Sequence, residues 1–157
     1  MKINKILFTT DFSDYSLYPL NYAVDLAEKY SASLTLIHVI EPIIAPVDYS
    51  WESYGVAYNV SEIEKKATEF AKQKFETILK DKIPAQLKTD YEICYGKPFR
   101  EIINFAKKGK FDLIVMSTHG TSGLSEIIFG TTASKVVKKS PIPVLTVRHP
   151  DHTFKMP

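Results

Sequence analysis

Short apolar runs alternate along this chain with stretches whose apolar residues recur at helical spacing. Ile6-Leu7-Phe8-Thr9-Thr10 is the first run, closed by Asp11. Continuous apolar runs of this length suit strands of a parallel sheet, buried on both faces. Leu17, Leu20, Val24 and Ala27 then mark one face of a first helix. Its start can be read in two ways. Ser13 could cap it, which leaves Pro19 past the first turn; Ser16 as cap puts Pro19 inside that turn, where it is tolerated. Leu34 to Ile40 is the second strand, ending at Glu41-Pro42.

Residues 41–60 show no period and carry Pro42, Pro46, Tyr49, Trp51, Tyr54, Gly55 and Tyr58. A long irregular segment of this kind covers a ligand or a partner, or is an aromatic-stapled surface loop. Ser61 and Glu64 fit a capping box for a second helix running to about Lys80, with Ile63, Ala67, Phe70, Ala71, Phe75 and Ile78 inward. Tyr91 to Tyr95 reads as a third strand, more polar and alternating, as an edge strand should be. Pro98 suits the first position of a third helix with Phe99, Ile102, Ile103 and Ala106 on its apolar face, and Gly109 stops it. Asp112 to Met116 is a fourth strand, Thr132 to Lys139 a fourth helix, and Val144 to Val147 a fifth strand. The alternation predicts a single-domain α/β fold: an open parallel five-stranded sheet, helices on both faces, right-handed crossovers. The domain spans residues 1–148, and 149–157 form a polar tail.

Composition narrows the function classes. The chain has 157 residues, 20 basic and 18 acidic, for a net charge of +2. That balance argues against a nucleic-acid surface. The single cysteine, Cys94, excludes an internal disulfide and a cysteine-only zinc site. No apolar run is long enough for a membrane span. The N-terminus is basic then apolar, but Asp11 interrupts it and no small-residue cleavage site follows, so a cytoplasmic location is expected.

The chemistry concentrates between Val115 and Thr132. An apolar strand breaks into Ser117-Thr118-His119-Gly120, and Gly130-Thr131-Thr132 open the last helix. A strand end, a glycine loop and a helix N-terminus make a place for an anion, since the first N–H groups of a helix lack internal partners and its dipole favours negative charge. The glycines could instead merely make turns. Ligands of open parallel sheets sit beyond the carboxyl ends of the strands. Asp11, Val39 and Ser117 to Gly120 all fall there, which favours a nucleotide site. His38 reads as a structural histidine and His119 as a turn-shaping one. Glu126, close to the loop, should point to solvent. There is no G-x-S-x-G elbow and no G-x-x-x-x-G-K-[ST] loop. Strand three ends in Cys94-Tyr95-Gly96 rather than the aspartate a phospho-receiver needs.

Three segments taken together resemble the universal stress protein family: Ile6 to Ser13 (ILFTTDFS), Leu36 to Val39 (LIHV), and Ser117 to Gly120 through Gly130-Thr131 to Pro143-Val144-Leu145. The resemblance covers roughly residues 2–148. It implies strand order 3-2-1-4-5, a Rossmann-like fold of the adenine nucleotide alpha hydrolase type, and a homodimer through strand five. One branch of that family binds ATP through G-x2-G-x9-G-(S/T). Here Gly120, Gly130 and Thr131 match, and Ser117 replaces the first glycine. Serine adds a Cβ where backbone approaches the ligand and disfavours positive φ, yet it is small and can hydrogen-bond. The resemblance places Asp11 near the ribose or a metal-bound phosphate, and the Val39 backbone at the adenine. It places Ser117, His119 and Gly120 along the ribose and phosphate turn, and Gly130, Thr131 and Thr132 at the phosphates, with Mg²⁺ as companion. The function it implies is an ATP-binding stress-response protein with slow or no hydrolysis. The alternative is an interaction module of the same family that binds no nucleotide.

Overall fold

The structure is a computed structural model and describes residues 2–42, 60–120 and 130–150. The elements run β1 (Lys5–Thr9), α1 (Asp14–Leu17), α2 (Leu20–Tyr30), β2 (Ser33–Ile40), α3 (Val60–Lys82), β3 (Thr89–Tyr95), α4 (Pro98–Lys108), β4 (Leu113–Ser117), α5 (Thr131–Lys139) and β5 (Val144–Val147). All strand pairs are parallel, in the order β3-β2-β1-β4-β5.

Strand alternation divides the core into two layers. Ile6 and Phe8 of β1 face the same side as Leu34 and Leu36 of β2. There they pack with Leu20, Ala23 and Ala27 of α2 and with Phe75 and Ile78 of α3. Leu7, Ile37, Ile114 and Met116 face the opposite side and meet Ile102 and Ala106 of α4 and Ala133 and Val136 of α5. Burial is complete at Ile6, Leu7 and Phe8, so β1 reads as an unbroken apolar run because each of its faces is a core. β3 alternates between half-buried and exposed positions, as its edge place dictates.

The first helical segment is two helices. Ser13 caps α1, its side chain accepting from the Ser16 N–H, and α1 ends after four residues. Pro19, fully buried, then stands at the N-cap of α2. A proline beyond the first turn lacks the N–H to continue the ladder and crowds the preceding carbonyl. The chain therefore restarts the helix at Leu20 rather than running through from Ser16. The second helix begins at Val60, so Ser61 lies inside α3 instead of outside it as a capping box requires. The aromatic residues Tyr49, Trp51, Tyr54 and Tyr58, Glu126, and the tail from Asp151 lie outside the described residues. No helix among the described residues is long and apolar enough to cross a membrane.

Candidate functional site

The strand order reverses between β1 and β4, and the crevice opens at their carboxyl ends. This is where open parallel sheets hold ligands. A pocket of about 330 Å³ occupies it. All eight residues singled out from the sequence line that one pocket: Asp11, Val39, Ser117, His119, Gly120, Gly130, Thr131 and Thr132.

Asp11 is delivered by a tight loop after β1. Phe12 adopts φ 65°, a conformation an aromatic residue rarely takes. Three contacts hold it there. Its N–H donates to Thr10 Oγ1 at 2.9 Å, and its ring packs edge-on against Phe75 at 5.0 Å and tilted on His38 at 4.4 Å. Thr10 Oγ1 is itself bonded to Ser16 Oγ at 2.8 Å. The Asp11 carboxylate accepts at Oδ1 from the N–H and the hydroxyl of Ser13, at 3.0 and 2.5 Å. Asp11 therefore has a structural role in the loop. Its other oxygen, Oδ2, lies against Gly120, and a Cβ on Gly120 would stand only 2.1 Å from it. Gly120 is needed for that approach; its φ is not positive.

Ser117 is the last residue of β4, paired with Val147. It does not have a positive φ, so the serine is unstrained where the related motif carries glycine. Its Oγ accepts the N–H of His119 at 3.2 Å, closing a side-chain turn. His119 is 7% exposed, and its Nδ1 pairs with Thr118 Oγ1 at 2.9 Å. That bond fits a histidine that shapes the turn. His38 Nδ1 lies 2.9 Å from the Thr10 carbonyl oxygen. A carbonyl only accepts, so Nδ1 carries the proton. Burial lowers the His38 pKa, against the Thr10 bond and the Asp11 charge, which raise it.

On the far side, Gly130 caps α5 with φ −60° and no side-chain cap. Its N–H donates to the Thr118 carbonyl at 2.7 Å, which ties α5 to the β4 turn. The first bond inside α5 is from the Ser134 N–H to the Gly130 carbonyl at 2.9 Å. The N–H groups of Thr131, Thr132 and Ala133 therefore have no partner within the helix, and these residues line the pocket.

Other lining residues were not singled out from sequence: Thr10, Ser16, Glu41, Pro98 and Ile102. The strand-end rule would have reached Glu41, directly after β2, and Pro98, just past β3. Ser16 carried no such signal, because its hydroxyl enters through the short helix α1. Asp11 and Glu41 supply the charge among the described lining residues. Cys94 is partly buried on β3, and burial pushes its thiol pKa up, with Glu92 and Glu101 adding to it, so it is not a primed thiolate. Among the described residues, no group of three or more His, Cys, Asp or Glu side chains could hold a metal ion.

The universal stress protein family model matches residues 2–148. Universal stress protein MJ0577 of Methanocaldococcus jannaschii is 36% identical over 152 residues, covering 92% of this chain and 94% of that protein. Its solved structure superposes with a TM-score of 0.74 and 31% identity, covering 95% of this chain and 98% of that one. Universal stress protein MJ0531 of the same organism is 35% identical over 149 residues, 93% of this chain and 82% of its own. A universal stress protein of Archaeoglobus fulgidus, solved in complex with dAMP, shares the fold at TM-score 0.61 and 20% identity, covering 93% and 98% of the two chains. The strand order, the strand-end pocket and the family match agree: the chain belongs to the universal stress protein family.

Proposed function

We propose that the pocket binds an adenine nucleotide, ATP with Mg²⁺, and that the protein holds this ligand rather than turning it over. The observation that carries the reading is the convergence of an uncapped helix N-terminus, a glycine turn and a strand-end carboxylate on one pocket. Each part has a role. The N–H groups and hydroxyls of Thr131 and Thr132, with Gly130, take the phosphates, favoured by the helix dipole. Ser117, His119 and Gly120 line the ribose and phosphate turn. The Val39 backbone offers hydrogen bonds to the base edge, and Ile37, Pro98, Ile102 and Met116 supply apolar walls. Asp11 and Glu41 would repel bare phosphates. A divalent cation held mainly by phosphate and water offsets that, with Asp11 as the protein's carboxylate. The dAMP complex of the Archaeoglobus protein shows that a chain of this fold can take an adenine nucleotide.

The chemistry of the described lining supports the holding role. Phosphoryl transfer is driven by positioned cations and a group orienting the nucleophile. No Lys or Arg is among the described lining residues, and the Nδ1 atoms of His38 and His119 are both committed to local hydrogen bonds. Among the described residues no strand pairs with the outer edge of β5, and an open edge favours pairing. A homodimer through β5 is part of the proposal, as is a cytoplasmic role in the stress response.

The test is a thermal melt with and without ATP and Mg²⁺. Ligand at a hundred times Kd stabilises by about 2.7 kcal/mol, which for a domain of this size raises the Tm by roughly 5–10 °C. No shift at millimolar ATP with Mg²⁺ sinks the reading. Mass spectrometry of nucleotide released from the native protein would separate ATP from AMP-like ligands.

A further inference from the structure

Outside the pocket, α4 and α5 bring three cations to one aromatic ring. Lys135 Nζ lies 5.2 Å from the centroid of Phe99, Lys139 Nζ 5.7 Å and the Arg100 guanidinium carbon 5.8 Å. All three side chains are exposed, and Phe99 is half-buried against the α4–α5 core layer. The ion pairs among the described residues are Lys66–Glu62 and Lys72–Glu69, both on α3. The three cations around Phe99 thus lack a carboxylate partner among the described residues. Glu101, their nearest acidic neighbour in sequence, packs against Gly96.

This arrangement opposes itself. Lys135 and Lys139 are four residues apart on one helix face, where like charges repel. Cation–π attraction to Phe99 holds all three heads together against that repulsion. Cations gathered in advance lose less freedom on pairing with an anion. None of these residues lines the pocket, so the cluster does not enclose a small ligand there. Three contacts are too few for useful binding to a nucleic-acid backbone, where phosphate contacts dominate affinity. Arginine pairs bidentately with carboxylates as it does with phosphates, and the spaced carboxylates of an acidic segment match spaced cations. We propose that the α4–α5 surface around Phe99 is a docking site for an acidic segment of a partner protein. The proposal does not depend on what the pocket holds.

The test compares two variants of equal net charge by titrating a fluorescein-labelled polyglutamate peptide at low and at physiological salt. Lys135→Glu/Lys139→Glu reverses the cluster; Lys29→Glu/Lys80→Glu reverses two exposed lysines on α2 and α3. The first pair should weaken peptide binding by roughly tenfold or more and the second by less than about threefold. If charge reversal impairs folding, Lys135→Gln/Lys139→Gln against Lys29→Gln/Lys80→Gln makes the same comparison while relieving like-charge repulsion. Equal losses in both variants, or no binding by the native chain, overturn the proposal. So does tighter, cluster-dependent binding of a labelled oligodeoxythymidylate, which would make the surface a nucleic-acid site. Loss of ATP stabilisation in the cluster variant alone, with peptide binding unchanged, would assign the cations to the pocket instead.

Discussion

A Cβ built on Gly120 would stand 2.1 Å from Asp11 Oδ2, far inside contact distance. Asp11 could swing aside only by giving up the two Ser13 bonds at Oδ1. Gly120→Ala should therefore cost about 1–3 kcal/mol by overpacking, and it should abolish any nucleotide-dependent rise in Tm. Deleting the carboxylate relieves the clash, so Asp11→Ala and Gly120→Ala should be non-additive by at least about 0.5 kcal/mol in urea unfolding. Strict additivity would show that the two residues do not share this space. Ser117 makes the complementary case. Its hydroxyl satisfies the His119 N–H in a buried turn, and an unsatisfied buried N–H costs about 1–3 kcal/mol. Ser117→Gly should destabilise, although glycine is the residue the related motif carries. An unchanged or higher urea midpoint would mean the turn does not need the bond. The motif departure could be seen in the sequence. That the serine sits there without backbone strain could not, because that depends on the extended backbone at the end of β4.

Elements were legible where one face or both meet a core. β1, β2 and β4 announce themselves as apolar runs because helices cover both sides of the sheet. The break between α1 and α2 was less clear. Ser13 and Ser16 both resemble caps, and only the packing of buried Pro19 decides between them. The start of α3 was displaced for a related reason: a capping-box pattern is local, and Val60 joins the helix before it. α4 shows an end that local chemistry leaves unimproved. Its N-cap, Lys97, has φ −78° and ψ 118° and makes no side-chain cap bond. Serine fits that extended backbone and can accept from the first turn, so Lys97→Ser should stabilise by about 0.5–1 kcal/mol. Chemical denaturation reads this directly, and a lower midpoint would show that Lys97 contributes a contact worth more than a cap.

At the scale of the molecule, the two ends of the sheet respond to acid through different groups. At the amino end, Asp112 Oδ2 accepts from the N–H groups of Asn4 and Lys5, at 2.8 and 3.0 Å, and clamps the start of β1 beside β4. The Asn4 backbone bond above all holds its pKa below the usual 3.8; burial opposes it, and the Lys5 bond, the Asn4 side chain and the Lys5 charge add to the lowering. At the carboxyl end, burial holds His38 below 6.5. Both folded pKa values are depressed, so in each case the unfolded chain takes up the proton first. Each contribution is then complete above the ordinary value and is lost as pH falls toward the folded one. The windows separate. His38 acts below 6.5, whereas Asp112 acts only below 3.8. Acidification from about pH 7.5 to about pH 5.5 should thus lower stability through His38 while leaving the Asp112 clamp intact. His38→Asn isolates the effect. An asparagine amide can still donate toward the Thr10 carbonyl but does not titrate, so the variant loses the Phe12 ring contact and is weaker throughout. Its urea midpoint should nevertheless change less between those two pH values than that of the native chain. Equal changes in both proteins would place the acid sensitivity elsewhere and remove His38 from the account.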